Sequence, residues 1–221
     1  MPPIRNRMPP LGEYLKQANN NQEDIEYKRA LVSTPAGSAK AVALLGPLSL
    51  QSVNSDANAS LPSGIIAART AYPHAYFKAG HMINACFGGN GNKSNNLTIL
   101  TGSANTAMTA YDNRVKDAVE ALYNLYAAFH KAKINVFDIG TCRIKLKVEV
   151  SDDKWGDNPP ESYIADEVTI TATFENIPTD RSAFIRDILR PKSDHVRNIK
   201  TLQTKVGTYV AQGCGDVDNT L

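Results

Sequence analysis

The sequence predicts an α+β fold, and two observations carry this prediction. Residues 103–133 repeat apolar side chains at intervals of three and four, the spacing of a helix packed on a core. Cys142–Val150 and Val168–Phe174 instead alternate apolar and polar residues, which is typical of half-buried strands. The helical positions are Met108, Tyr111, Val115, Ala118, Val119, Leu122, Leu125, Tyr126 and Phe129.

Residues 1–37 have four prolines in the first ten positions and a polar tract, so we expect an N-terminal arm or linker. Ala39–Leu50 is apolar and predicts a buried strand. Ile65–Thr70 and Ala75–His81 predict a β-hairpin around Tyr72-Pro73, and Leu97–Leu100 predicts a further short strand.

The long helix begins at Ser103, a suitable N-cap residue. The two alternating strands are expected to pair antiparallel across the acidic loop 151–165, and helices are expected over Arg181–Leu189 and His195–Val210. One domain is therefore predicted over 38–221. It divides into a core of about 64–133, added strands at 141–175 and a basic helical part at 180–212.

The cysteines argue against several classes of protein. Cys86, Cys142 and Cys214 are far apart and form no C-x-x-C pair, which disfavours a zinc knuckle, a redox motif and a disulfide scaffold. The N-terminus has no apolar segment typical of a signal peptide, and no run of about 18 apolar residues predicts membrane insertion.

The net charge of +2 does not by itself indicate a nucleic-acid-binding protein. The charges are unevenly placed, however. Residues 181–205 hold seven Lys or Arg against two Asp, whereas residues 152–167 hold six acidic residues against Lys154. We therefore expect one end of the chain to be able to face a polyanion.

A candidate site lies in the stretch Tyr76–Val119. His81 ends an apolar, strand-like run, and a neutral histidine there can deprotonate a water molecule. Asn105 and Asp112 are seven residues apart, about 20° from each other on one helix face. Two oxygen-bearing side chains on such a face suit Mg²⁺, which takes few protein ligands. Histidine as base with a metal as electrophile predicts phosphodiester hydrolysis.

The ordered motifs of this stretch resemble the His-Me finger (ββα-metal) endonucleases, specifically the DNA/RNA non-specific branch of bacterial toxins and effectors. The resemblance covers about 40 residues. It is carried by Gly80-His81-Met82-Ile83-Asn84, Phe87-Gly88-Gly89-Asn90-Gly91, Asn96-Leu97-Thr98, Ala104-Asn105 and the run from Tyr111-Asp112 to Val115-Lys116.

The resemblance implies a ββα-metal core with His81 as general base, Asn105 as principal metal ligand and Asp112 at a later acidic position. The cofactor would be Mg²⁺, with Mn²⁺ or another divalent ion as alternatives. Known members carry an arginine two residues before the histidine, where this chain has Ala79. We therefore assign the catalytic arginine to Arg69, on the strand predicted to precede.

The substrate side is assigned to Lys78, Asn84 and Asn96, and the two asparagines are expected to order the loop or the histidine rather than bind metal. The sequence thus predicts an endonuclease cutting DNA, and RNA as a second candidate, with little sequence specificity. The resemblance further implies a toxin or effector that leaves its cell without a cleaved signal peptide. A specialised secretion system would deliver it into a target-cell cytoplasm, and its partner would be an immunity protein or a secretion carrier. Two alternatives remain: a degenerate finger that binds nucleic acid or protein without cutting, and a structural adaptor of a secretion particle.

Overall fold

The computed structural model describes residues 25–29, 39–47, 49–50, 61–131, 143–175 and 204–221. Their helices and strands, in chain order, are β1 (Ile25–Arg29), β2 (Ala39–Leu45), α1 (Ile65–Ala71), β3 (Lys78–His81), β4 (Leu97–Leu100), α2 (Gly102–Lys131), β5 (Arg143–Val150), β6 (Glu167–Glu175), α3 (204–212) and β7 (Gly215–Asp218).

Five strands form one antiparallel sheet in the order β1-β2-β5-β6-β7. The two alternating segments pair as predicted, from Arg143 opposite Glu175 to Val150 opposite Val168. Strands β2 and β5 are neighbours in the sheet although about a hundred residues separate them in the chain. Everything from α1 to α2 is therefore inserted between two adjacent strands.

Helix α2 packs its apolar face on this sheet, which confirms the strongest secondary-structure prediction. Its buried side chains at Val115, Val119 and Leu122 join the same core as Ala43 and Leu146 of the sheet. The buried alanines at alternate positions of β2 belong to this core together with the branched side chains of β5 and β6.

Strands β3 and β4 form a separate antiparallel pair, in which His81 lies opposite Leu97 and Lys78 opposite Leu100. A second, smaller core supports this pair. It consists of the buried Ile65, Ala68, Ala75, Phe77, Ile99 and Ile164, with Tyr72, Ala79, Trp155 and Tyr163 packed around them.

The predicted hairpin over Ile65–His81 is wrong. Ile65–Ala71 is helix α1, in which Ile65 and Ala68 are the buried residues. Their spacing of three is helical, and such a short apolar run does not distinguish helix from strand in the sequence. Pro73–Ala75 forms a 3₁₀ turn, so strand β3 begins only at Lys78.

The predicted arm over 1–37 requires a correction at one place. Ile25–Arg29 forms the edge strand β1 and pairs with β2 from Ile25 opposite Ala43 to Arg29 opposite Ala39. The rest of that segment, and residues 176–203 with most of the basic C-terminal part, lie outside the described residues. Residues 204–212 are helical, in agreement with the end of the second predicted helix.

The fold is thus mixed α+β with antiparallel sheets, as the sequence predicts. Within the part of the chain that is described, no helix has the length and apolar character needed to cross a bilayer.

Candidate functional site

His81 is the last residue of β3 and is half-buried. Burial lowers the pKa of its imidazole below the ordinary 6.5, so the neutral form dominates at pH 7. Strand alternation places His81 on the same face as Ala79 and opposite to Gly80. At Gly80 a Cβ would lie 2.2 Å from Leu100 Cδ1, so a larger residue before the histidine would require the buried Leu100 side chain to move.

The buried side chain of Asn96 holds the loop after the histidine. The Asn96 side chain is fully buried: its Oδ1 accepts a hydrogen bond from Ile83 N (2.9 Å), and its Nδ2 donates to Ile83 O (3.0 Å) and Asn90 O (3.3 Å). Met82 N donates to Asn96 O at 2.8 Å. The Asn96 amide therefore orders the loop, and in this conformation it offers no surface to a substrate.

The Gly-Gly pair of the loop is required by close backbone approach. Gly88 has a φ of 86°, a left-handed conformation that favours glycine. A Cβ at Gly89 would lie 1.7 Å from Ile83 O. The loop is thus folded tightly back onto the residues that follow His81.

Asn105 lies in the first turn of α2 and is half-buried. The helix does not begin at Ser103 as predicted. Thr101 caps it, because Thr101 Oγ1 accepts from Ala104 N (3.1 Å) and Thr101 O accepts from Asn105 N (2.9 Å). The threonine is itself buried, which fixes the start of the helix and hence the position of Asn105.

Asp112 contacts the loop. Its Oδ2 accepts a hydrogen bond from Asn84 Nδ2 at 2.8 Å, and Asn84 Oδ1 accepts from Cys86 N at 3.1 Å. Burial raises the pKa of the Asp112 carboxyl to about 6, although the Asn84 hydrogen bond opposes the rise. Burial, and then the charge of Asp112, also raise the pKa of the Cys86 thiol to about 12, so this cysteine is not a nucleophile at neutral pH.

The residues assigned to metal fit a hard cation by donor type. The amide oxygen of Asn105 is an oxygen ligand, and Mg²⁺ keeps several waters while using one or two protein ligands together with substrate phosphates. Among the described residues no group of three or more His, Cys, Asp or Glu side chains is placed to share a metal ion. A site here would therefore depend on few ligands, with Asn105 first and Asp112 second.

Arg69 lies on helix α1 and not on a strand, which corrects its predicted setting. Its Nε donates to Phe77 O at 3.0 Å, at the start of the segment that leads into β3. His81 is four residues further along, roughly 13 Å at 3.3 Å per extended residue. Arg69 is thus anchored beside the segment that leads into β3, and Lys78, the first residue of that strand, is exposed.

One sequence signal supports a polyanionic ligand and was missed by the motif analysis. Residues 57–111 contain no Asp or Glu, whereas at the overall frequency of 22 acidic residues in 221 a stretch of 55 would hold about five. The same stretch contains Arg69, Lys78 and Lys93. A surface built from it does not repel phosphates, and Asp112 is the first carboxylate after it.

Asn219 is a structurally important residue that no sequence pattern identified. Its side chain is fully buried: Oδ1 accepts from Thr101 N (2.8 Å), and Nδ2 donates to Ala165 O (2.7 Å) and Ile99 O (3.0 Å). Its carbonyl accepts from Trp155 Nε1 at 3.0 Å. One asparagine after β7 thus joins strand β4 and the start of α2 to the loop between β5 and β6. No local pattern marks an asparagine near a strand end for such a contact.

Comparisons with known protein families, with curated proteins and with solved structures found no match to this chain.

Proposed function

We propose that this protein is a metal-dependent endonuclease that hydrolyses phosphodiester bonds of DNA, with RNA as a second substrate, and with little sequence specificity. One observation carries the proposal: a histidine of lowered pKa ends a strand pair that is followed by a helix with Asn105 in its first turn, within a stretch free of carboxylates. The strand–loop–strand–helix order also supports the ββα-metal core that the resemblance implies.

His81 is the general base in this proposal. Its neutral imidazole takes a proton from a water molecule, whose oxygen attacks the phosphorus and displaces one ester oxygen. A divalent cation at Asn105 would supply positive charge for the phosphate and the leaving oxygen. Arg69 and Lys78 bind flanking phosphates, while Asn84, Asn96, Gly88 and Gly89 hold the loop that begins directly after the base.

The test is nicking of supercoiled plasmid DNA, and degradation of RNA, in Mg²⁺ or Mn²⁺ with EDTA as the blank. We expect His81→Ala to lower the rate by about 10²- to 10⁴-fold, the usual contribution of a general base. His74→Ala is the matched control, because His74 is an exposed histidine of the same stretch and should leave the rate unchanged. A folded wild-type protein that leaves both substrates intact would falsify the proposal, as would a His81→Ala variant of normal activity.

The pH dependence of cleavage provides an independent check on His81. The base acts only when neutral, and its pKa lies below 6.5, so activity should persist to mildly acidic pH and fall as the pH drops through that lowered value. The acidic limb of the kcat/KM profile, measured in Mg²⁺, reports this pKa. An acidic limb centred above 6.5 would contradict the assignment.

Asn105→Ala tests the metal ligand. We expect it to raise the Mg²⁺ concentration needed for half-maximal cleavage by at least about tenfold. Loss of a residue that only hydrogen-bonds to a metal ligand already lowers metal affinity by that factor, and loss of the ligand itself should cost at least as much. Asn124→Ala, an exposed asparagine further along the same helix, is the control and should leave the Mg²⁺ requirement unchanged.

A second candidate function is a degenerate domain that binds nucleic acid without cutting it. This function is favoured because two side chains assigned to metal or phosphate binding already make structural hydrogen bonds: Asp112 accepts from Asn84, and Arg69 donates to Phe77 O. Salt-dependent DNA binding without metal-dependent cleavage would establish it.

Delivery to a target cell as a toxin or effector, with an immunity protein or a secretion carrier as partner, is proposed from the resemblance. Co-expression of a neighbouring gene product that suppresses toxicity tests it.

A further inference from the structure

Tyr76 stands out in the surface next to the candidate site. Its side chain is 70% exposed. Its φ of 49° and ψ of 43° are left-handed, and among the described residues it is the one non-glycine with positive φ. An aromatic residue in this conformation is strained, and such strain is concentrated at functional positions. Asparagine or glycine would suit the backbone better, so the ring itself needs an explanation.

Tyr76 lies against the start of helix α2. A Cβ at Gly102 would lie 3.3 Å from Tyr76 Cβ. Asn105 is three residues further along the helix, where side chains i and i+3 are neighbours about 5–6 Å apart. The Cβ of Tyr76 therefore lies within about 9 Å of the Cβ of Asn105, the residue assigned to the metal.

The surroundings of Tyr76 suit a nucleic-acid strand. The exposed Lys78 is two residues away, and Arg69 is anchored to the carbonyl of Phe77, the next residue. Tyr76 also lies in the stretch without any carboxylate. An exposed aromatic ring beside cationic side chains is how proteins bind single-stranded nucleic acids, because bases stack on the ring while the cations follow the phosphates.

We propose that Tyr76 is a base-stacking residue and that the preferred substrate is single-stranded nucleic acid. The base next to the scissile phosphate stacks on the Tyr76 ring, and Lys78 contacts a phosphate of the same strand. In a duplex this base is already stacked and paired, so binding to Tyr76 requires its extrusion. The inference rests on the proposed nuclease function and adds the substrate class and the residue that selects it.

The experiment measures binding of a fluorescein-labelled, 12-nucleotide single-stranded DNA by anisotropy, in Mg²⁺. All variants are made in the His81→Ala background so that the probe is not cut. Tyr76→Asn removes the ring while allowing the left-handed backbone, so the fold is kept. We expect it to weaken binding by about 5- to 150-fold, the loss seen when a base-stacking aromatic is removed.

Four controls separate stacking from a structural role. Tyr76→Phe keeps the ring and should bind like the parent protein. Ile66→Asn changes another exposed apolar side chain, 68% exposed, and should have no effect. On a strand of the same length made of abasic nucleotides, Tyr76→Asn and the parent should bind equally. Lys78→Ala should instead reduce the salt slope by about 0.7, the value for one phosphate contact on a single strand, whereas Tyr76→Asn should leave it unchanged.

Binding within twofold of the parent by Tyr76→Asn overturns the inference, as does an equal loss on the abasic strand. These outcomes do not depend on catalysis. If the wild-type protein fails to cleave while binding depends on Tyr76, the nuclease proposal fails and the stacking residue stands. If cleavage occurs and Tyr76→Asn binds normally, only the stacking residue fails. Absence of any nucleic-acid binding refutes both.

Discussion

The five-stranded sheet with helix α2 and the β3–β4 unit are held together in different ways. The sheet core is periodic and apolar, with Ala41, Ile144, Leu146 and Val148 at alternate buried positions. The β3–β4 unit has only four residues in each strand, and side-chain amides anchor its loop and its link to the sheet. The scaffold core is thus held by apolar packing, whereas the candidate site combines apolar side chains buried in the same core, such as Met82, Ile83 and Leu100, with specific amide hydrogen bonds.

The two regions also differ in charge. Residues 57–111, which include the β3–β4 unit, have no acidic residue, whereas the loop from Asp152 to Glu167 between two sheet strands has six. The acidic loop still supports the unit, because Trp155 packs on Phe77 with ring centroids 5.4 Å apart and donates to the carbonyl of Asn219. The stretch proposed to meet phosphates thus contributes no carboxylate of its own, and the acidic loop supports it through Trp155 and through Glu161, which accepts a hydrogen bond from Tyr72.

The largest stability effect is expected where the two regions meet. Asn219→Ala leaves Thr101 N, Ile99 O and Ala165 O without their buried partner and should lower the free energy of unfolding by about 4 kcal/mol, at 1–3 kcal/mol for each unsatisfied group. Urea denaturation measures it. Asn124→Ala, exposed on α2, should change stability by less than about 0.5 kcal/mol. Equal effects of the two variants would show that the Asn219 contacts do not hold the unit.

A cavity in the sheet core should be nearly as costly but should leave the site intact. Leu146→Ala should lower the free energy of unfolding by about 3 kcal/mol, through lost burial and the cavity left beneath α2. At a temperature where both variants are folded, Leu146→Ala should cleave at the wild-type rate while Asn219→Ala should cleave more slowly, since Asn219, unlike Leu146, hydrogen-bonds to β4 and to the residue that caps α2. A reduced kcat for folded Leu146→Ala would contradict the separation of scaffold from site.

The smallest of these effects concerns Asp112 and has the opposite sign. Its pKa is about 6 when folded against 3.8 in the reference state, so the folded protein binds more protons between pH 4 and pH 6. Stability from this group therefore falls as the pH rises through that window. Asp112→Asn keeps an acceptor for Asn84 and should stabilise the protein by roughly 2 kcal/mol at pH 8, with no gain below about pH 4.

Asp117→Asn is the control for this prediction, because Asp117 is on the same helix in an exposed ion pair with Arg114. Thermal unfolding at pH 4 and pH 8 measures both variants. A pH-independent gain for Asp112→Asn would contradict the titration. The Mg²⁺ concentration needed for cleavage by Asp112→Asn then distinguishes the two roles of Asp112. It should change if Asp112 is a metal ligand, and it should stay the same if Asp112 only anchors the loop.

The sequence predicted elements with long or regular patterns and missed those defined by single contacts. Helix α2 and strands β5 and β6 followed from periodicity, because every turn or alternate residue repeats the same signal, and strands β2 and β4 followed from short apolar runs. Helix α1 was predicted as a strand because its apolar run is short and has only two buried positions, Ile65 and Ala68, which are too few to distinguish helix from strand. Edge strand β1 was missed because five residues, Ile25–Arg29, give few repeats.

The candidate site was predicted in part for the same reason. Its motif residues are close in the chain, so His81, the Gly-Gly loop and Asn105 could be named from order and spacing. The setting of Arg69 was wrong because its helix was wrong. The hydrogen bond between Asn84 and Asp112 could not be predicted from the sequence, because the two residues are 28 positions apart and no sequence pattern gives the path of the loop between them. Tyr76 was not singled out because neither its left-handed backbone nor its close approach to Gly102, a residue of another element, is marked in the sequence.

The sequence by itself determined the α+β class, the long helix, the paired alternating strands and the acid-free stretch around His81, because composition and periodicity are properties of neighbours in the chain. Only the tertiary structure decided that Asn219 anchors the start of α2, that the Asn96 side chain is used up in hydrogen bonds to its own loop, and that Tyr76 is exposed next to Gly102 at the start of α2. Each of these depends on a hydrogen bond or a close approach between residues distant in the chain, where a single atom position decides the partner and no repeating pattern encodes it.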